Sequence, residues 1–314
     1  MGLRKLSCVV AVALAGLLAT AGPAAAYEWP KVLREGHTGR DVRALQMRLA
    51  GWFPRRDQTF FRSDGVFQGM TVNAVKRFQE HYGLRADGIA GRATFRILTS
   101  LEDGDRSTEH FSFDEFKQNR NSNCGRKANS FAGTFKGGMV KRALVKRNVI
   151  RLMWRLEALR AKLGDHPIAI NSGFRSVAYN RCINGATYSQ HQYGTAADLK
   201  VLDVSNRDGR NRARGSQVHG IACYATLSHN HFDLRMQNRS LPQAAYWWWP
   251  DRDRYKRDLS EDGRPCYGEV RQSSSMSASM DGGGGESHDV HEWTEAELDE
   301  WKASGEPSDL HGLD

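Results

Sequence analysis

No segment of this chain beyond Ala21 approaches the roughly 20 consecutive apolar residues that a helix needs to cross a bilayer, so no transmembrane segment is expected. Cysteine is sparse, and Cys8, Cys124, Cys182, Cys223 and Cys266 include no CxxC-type couple, which argues against a cysteine zinc site. Cys8 precedes the apolar run at the N-terminus, whereas a lipid-modified cysteine would follow it, so no anchor of that kind is expected either. Acidic residues are outnumbered through most of the chain. From Tyr27 to Val270 there are 41 Lys and Arg against 25 Asp and Glu, about +16, whereas Arg271–Asp314 holds 2 against 11, about −9. A basic body with an acidic tail admits nucleic acid, an anionic membrane surface or an anionic wall polymer as partner, and the compartment decides among them.

The N-terminus supplies the compartment. Arg4 and Lys5, the apolar run Val9–Ala21 and Ala24-Ala25-Ala26 form the three parts of a secretory signal peptide, so residues 1–26 are expected to be removed and the mature chain to start at Tyr27. The expected location is secreted, extracellular or cell-wall associated, and nucleic acid drops out as a partner. Without Cys8, four cysteines remain. An even number in an exported chain favours two disulfides among three possible pairings, with Cys124–Cys182 and Cys223–Cys266 the expected pair. At 314 residues there is room for about two domains.

Residues 31–101 read as three short helices separated by glycine turns. Asp41 is placed to cap a helix with Val42, Leu45 and Leu49 on one face, Thr71 a second bearing Val72, Val75, Phe78 and Tyr82, and Thr94 a third with Phe95 and Leu98. An internal echo runs through them: Asp64-Gly65-Val66 precedes Thr71 as Asp87-Gly88-Ile89 precedes Thr94, each Asp-Gly turn standing seven positions before a threonine. Gly36, Gly39, Leu45-Gln46, Phe78-Gln79, Tyr82-Gly83-Leu84 and Asp87-Gly88-Ile89 with Gly91 and Thr94 resemble the peptidoglycan-binding-like three-helix domain, with Gln68 inserted before Gly69 as a departure. The resemblance implies an all-α bundle whose partner is peptidoglycan. Polar, aperiodic Glu102–Glu109 reads as a linker.

Beyond it, Leu144, Val145, Val149, Leu152, Met153, Leu156, Leu159 and Leu163 recur at helical spacing, with basic residues between them expected to be solvated. Pro167–Asn171 is a short strand candidate, with Arg175 just past its end. The stretch Ser189–Asp198 carries His191 and Asp198, and Ala196–Val201 alternates so that Ala197, Leu199 and Val201 take one face and Asp198 the other. In His229–Leu234, His229, His231 and Asp233 share a face while Phe232 and Leu234 take the opposite one. Two histidines and a carboxylate on rigid strands make a possible metal site with room for water.

Ser172-Gly173-Phe174-Arg175-Ser176, Ser189-Gln190-His191 with Gly194 and Asp198, and His229-x-His231-x-Asp233 resemble the zinc D-alanyl-D-alanine carboxypeptidase family over residues 110–270. The resemblance implies an α+β fold with a small antiparallel sheet, and one Zn2+ per chain held by His191, Asp198 and His231. It also implies Arg175 gripping the substrate's terminal carboxylate and His229 beside the metal-bound water. The implied function is a zinc-dependent DD-carboxypeptidase acting on peptidoglycan stem peptides; an endopeptidase on the same scaffold and a non-catalytic wall-binding protein are the alternatives. One departure stands out: Leu227-Ser228 occupies the approach where several branches place an acidic general base, which leaves His229 or a distant residue for that role. Asp233 is read either as a residue that orients a histidine or as a strand-end turn residue. Tyr246–Trp249 is an aromatic run suited to packing or to stacking on substrate. Residues 271–314 are expected to be a flexible acidic tail, Ser/Gly-rich at first and then bearing the capping-box pattern Thr294-x-x-Glu297. The protein is expected to be a monomer.

Overall fold

The computed structural model describes residues 27–30, 32–53, 63–117, 124, 133–135, 138–140, 142–186, 189–218, 220–224, 229–234 and 245–249. The expected signal peptide (residues 1–26), Cys266 and the expected acidic tail (residues 271–314) lie outside these. The first three helices are α1 (Arg40–Arg48), α2 (Gly69–His81) and α3 (Arg92–Ser100). Their inward residues Val42, Leu45, Val75, Phe78 and Leu98 are all buried, as helical spacing requires.

The helix starts differ from expectation. Gly39, Gln68 and Gly91 occupy the N-cap positions, Asp41 lies in the first turn of α1, and Thr71 and Thr94 are the third residues of their helices. The threonines are turned inward because a buried glutamine claims their hydroxyls. Gln46 Nε2 donates to Asp64 Oδ1 at 2.8 Å, Val66 O at 3.1 Å and Thr71 Oγ1 at 3.0 Å, while its Oε1 accepts from Gly65 N at 2.8 Å. Gln79 repeats the device with Asp87, Ile89 O, Thr94 and Gly88 N at 3.0, 2.9, 3.2 and 2.9 Å. Gly65 and Gly88 both adopt positive φ, 76° and 78°, which presents their N–H groups to the glutamines. A buried amide satisfied at both ends avoids a penalty of about 1–3 kcal/mol for an unpaired group, so the echo is a repeated polar staple and not a pair of caps.

The segment expected to be a linker is an ordered turn. Ser107 and Thr108 are buried, and bridges join Glu102 to Thr108 and Thr108 to Phe111. The reason is Arg48, 2% exposed, whose guanidinium donates to both carboxylate oxygens of Glu102 at 2.8 and 3.0 Å. The same guanidinium lies over the rings of Tyr27, Trp29 and Trp154 at 4.8, 5.2 and 5.7 Å. One cation therefore ties the start of the described chain, α1, the turn and the long central helix together.

That helix, α5 (Arg142–Lys162), follows α4 (Phe113–Phe116) and the hairpin β1 (Gly133–Phe135) and β2 (Gly138–Val140). Val145, Val149, Leu152, Met153, Leu156 and Leu159 are buried in one core cluster with Leu49, Trp52 and Phe53 of the preceding unit. Its basic residues are not simply solvated. Arg155 is 6% exposed and its Nε donates to Gln217 O at 3.2 Å; Lys162 Nζ donates to Gly51 O and to Gly215 O, the latter at 2.8 Å. Carbonyls at the ends of neighbouring helical segments are left without helix partners, and these side chains satisfy them. Burial, with Arg77 and Arg212 nearby, pushes Lys162 down to about 7.

On the other side of α5 lies a sheet in the order β3-β4-β6-β5-β7: β3 (Ile168–Ser172), β4 (Ala196–Val201), β6 (Asn230–Asp233), β5 (Gly220–Tyr224) and β7 (Ala245–Trp249). The first four are antiparallel, as expected, but β7 adds to β5 in parallel, so the aromatic run Tyr246–Trp249 forms an edge strand. The helices α6 (Val177–Cys182) and α7 (Asn206–Arg214) complete the unit. Cys124 and Cys182 form the expected disulfide; Cys223 lies on β5. Among the described residues no helix is long and apolar enough to cross a membrane.

Removing one partner of a buried pair leaves a desolvated charge. Glu102→Ala should therefore lower unfolding free energy by about 3–5 kcal/mol in urea titrations, and Arg48→Met combined with Glu102→Leu should recover much of the loss. Equal stability of the single variant and the parent would refute the tie.

Candidate metal centre

Three elements bring the site together. The antiparallel pairing of β4 with β6 sets Asp198 directly opposite His231. A 3-10 turn over Gln190–Tyr193 places His191, and left-handed Gly194 (φ 73°) ends the turn so that β4 can begin. The backbone beyond β3 is held from below: Phe174 N donates to Phe116 O at 2.5 Å, and Arg175 N donates to His191 O at 3.0 Å. His191, Asp198 and His231 are 2%, 7% and 7% exposed.

Their donor atoms converge. His191 Nε2 lies 3.1 Å from His231 Nδ1 and 3.3 Å from Asp198 Oδ1, and His231 Nδ1 lies 2.9 Å from Asp198 Oδ1. Ligands about 2.0–2.1 Å from a tetrahedral zinc stand about 3.3 Å apart, so the spacing is that of one face of such a coordination shell. The far nitrogens decide the tautomers. His191 Nδ1 lies 2.7 Å from Gly173 O, a pure acceptor, so it carries the proton and Nε2 keeps its lone pair. His231 Nε2 lies 3.1 Å from Asp233 Oδ2, which turns the lone pair of Nδ1 into the same space. Two lone pairs and a carboxylate oxygen aimed at one point are a donor set for a cation, and the residues fit a divalent metal with an open position.

The electrostatics agree. Burial, followed by the nearby Arg175 charge, drives His191 down to about 4, which keeps it neutral and able to ligate. Burial alone would push Asp198 up, but His191 and His231 outweigh it through charge and hydrogen bonds and hold the carboxyl well below its ordinary range. His231 is opposed by burial and raised by its hydrogen bonds to Asp198 and Asp233. Arg175 Nη2 donates to Asp198 Oδ2, the oxygen turned away from the histidines, and its Nε donates to Ser172 Oγ at 2.8 Å. His229 precedes β6, half-buried, its pKa lowered by burial and by the nearby His231 and Arg175, against the raising effect of Asp198.

All five residues singled out from the sequence thus belong to one neighbourhood. Sequence reasoning did not anticipate the Gly173 carbonyl or the Ser172 hydroxyl as supports, although both lie in the Ser-Gly-x-Arg segment that drew attention to Arg175.

Residues 119–233 match the Peptidase M15 family and residues 38–98 the peptidoglycan binding domain family. It is 42% identical over 173 residues to the zinc D-Ala-D-Ala carboxypeptidase of Streptomyces albus G, an alignment covering 55% of this chain and 62% of that protein. It is 38% identical over 80 residues to a spore cortex-lytic enzyme of Bacillus cereus, covering 25% of this chain and 29% of that protein. A crystal structure of the SleB N-terminal domain aligns at 36% identity and a TM-score of 0.20, over 23% of this chain and 93% of that one. The chain spans less than two thirds of the length of these curated relatives.

After dialysis against zinc, the parent chain should retain about one metal ion per chain by elemental analysis, and His191→Ala essentially none. Undiminished metal in the variant would remove His191 from the ligand set.

Proposed function

We propose that this chain is an exported zinc DD-carboxypeptidase that removes the terminal D-alanine from peptidoglycan stem peptides. Residues 1–26 act as signal peptide, 31–101 as wall-binding domain, 110–270 as catalytic domain and 271–314 as a flexible acidic tail. The observation that carries the reading is the convergence of His191, Asp198 and His231 with Arg175 hydrogen-bonded to the carboxylate among them. The 42% identity to a zinc D-Ala-D-Ala carboxypeptidase supports zinc as the metal and the D-Ala-D-Ala end as the substrate. Because one chain supplies every ligand, the reading includes a monomer.

His191, Asp198 and His231 would hold the ion, which supplies Lewis-acid polarisation of a carbonyl and a water acidified towards about pKa 7. Among the described residues Ser172 and Asp198 engage two of the five N–H donors of Arg175, and the remaining edge of its fork suits a terminal carboxylate through paired charge-assisted hydrogen bonds. A substrate held by its carboxylate at Arg175 has its last peptide bond close to the three ligands, because Arg175 and the ligand Asp198 are themselves in contact. His229, with burial favouring its neutral form, is the group placed to accept a proton from water and return it to the leaving amine. The absence of an acidic residue at Leu227-Ser228 strengthens the assignment of that role to His229.

Zinc-loaded protein should release D-alanine from diacetyl-Lys-D-Ala-D-Ala, with little soluble material from intact sacculi. His229→Ala should lower kcat about 10²–10⁴-fold with metal content unchanged. Arg175→Lys should raise KM roughly tenfold, the equivalent of about 1.4 kcal/mol. Fragment release from sacculi without D-alanine release would instead identify an endopeptidase, and wall binding with neither activity a non-catalytic binder.

A further inference from the structure

Asp233 is a carboxylate with no solvent exposure, one residue beyond Phe232 on β6, with its Oδ2 3.1 Å from His231 Nε2. A fully buried carboxylate is costly unless an N–H or a charge compensates it. Directly across the sheet, β5 begins with Gly220, the register partner of Asp233. A Cβ built on Gly220 would stand 2.1 Å from Asp233 Oδ1 and 2.3 Å from both Cγ and Oδ2. Glycine in a strand sacrifices packing and conformational entropy; here its missing side chain is the space the carboxylate occupies. Two neighbouring strands are therefore matched, one supplying the carboxylate and the other the room for it beside the imidazole.

We propose that Asp233 is a positioning residue for metal binding: seated over Gly220, it accepts a hydrogen bond from Nε2–H of His231 and so commits Nδ1 to the metal. The inference rests on the reading of His191, Asp198 and His231 as ligands. Without this acceptor His231 is left with Asp198 Oδ1, 2.9 Å from Nδ1, as the competing acceptor, which would draw the proton onto Nδ1 and into the position a metal needs. Carboxylates behind ligating histidines fix orientation and raise ligand basicity in this way, and their loss commonly weakens metal affinity about 10–100-fold. The backbone carbonyl of Gly173 does the corresponding work for His191, and since a backbone group cannot be removed by substitution, Asp233 is the half of the arrangement open to test.

The test is a zinc titration of the metal-free full chain against a chromophoric chelator, together with the imidazole tautomer of His231 read from long-range 1H–15N NMR couplings. Parent protein should bind zinc and, at a pH where the His231 imidazole is neutral, show the Nε2–H tautomer. Asp233→Asn should bind zinc 10–100-fold more weakly, with mixed tautomers and a urea midpoint near the parent's. Gly220→Ala, which leaves every polar group in place but displaces the carboxylate, should move affinity and tautomer in the same direction. Parent-like affinity in folded Asp233→Asn, or lost stability with affinity and tautomer unchanged, would overturn the proposal and make Asp233 purely structural. No zinc binding by the parent would overturn the ligand reading itself, and the proposal with it.

Discussion

The C-terminal part of the described chain depends on the convergence of three donor atoms within 3.3 Å of one another. Without a cation the cluster is held only by protons shared between the imidazoles and the carboxylate, and unconstrained side chains would rotate apart. The fold opposes this from several directions. The β4–β6 register sets Asp198 against His231, the Gly173 carbonyl and the Asp233 carboxylate pin the far nitrogens, and Arg175 takes the spare oxygen of Asp198. Because the far nitrogens and the spare carboxylate oxygen are pinned while the converging atoms keep a spacing that suits a cation, the arrangement is better explained as preorganisation for metal than as a stability device.

The same logic explains why α5 lies at the centre. It packs Val145 and Val149 beside Gly194, where an added Cβ would come within 2.7 Å of Val145 O, and it packs Leu156 and Leu159 in the core that includes Trp52 and Phe53. The helix is thus a common floor for the turn bearing His191 and for the N-terminal bundle. Arg48 with Glu102 and Lys162 with Gly51 and Gly215 add polar ties across the same boundary. A bundle fastened at a helix, a buried ion pair and a lysine stands at a set distance and angle from the three-residue cluster, where a free linker would allow a wide range.

Legibility followed physical range. The strand Ala196–Val201 was readable because alternation is a local signal that burial enforces, and His191, Asp198 and His231 were readable because few other roles need that combination on rigid segments. The helix starts were not. Thr71 and Thr94 look like caps in isolation, and only glutamines 25 and 15 residues away reveal where their hydroxyls go. The parallel edge strand β7, the helix α7 and the contact of Gly220 with Asp233 likewise depend on partners remote in sequence. No local pattern distinguishes a glycine that makes room for a carboxylate from one that makes a turn.

The charge balance carries a related lesson about what composition measures. An excess of about +16 between Tyr27 and Val270 invites the picture of a uniformly positive surface drawn to an anionic wall. Several of the cations counted are spent inside the fold: Arg48 in a buried pair, Arg155 and Lys162 on backbone carbonyls, Arg175 on Asp198, and Arg210 Nη1 on Asn230 Oδ1 at 3.0 Å. Charges used this way satisfy carbonyls and carboxylates that would otherwise be buried unpaired, so the count of cations overstates how many are displayed at the surface. What fastens the bundle to the three-residue cluster is packing on α5 together with these buried polar ties, and the cations that make them are structural before they are anything else.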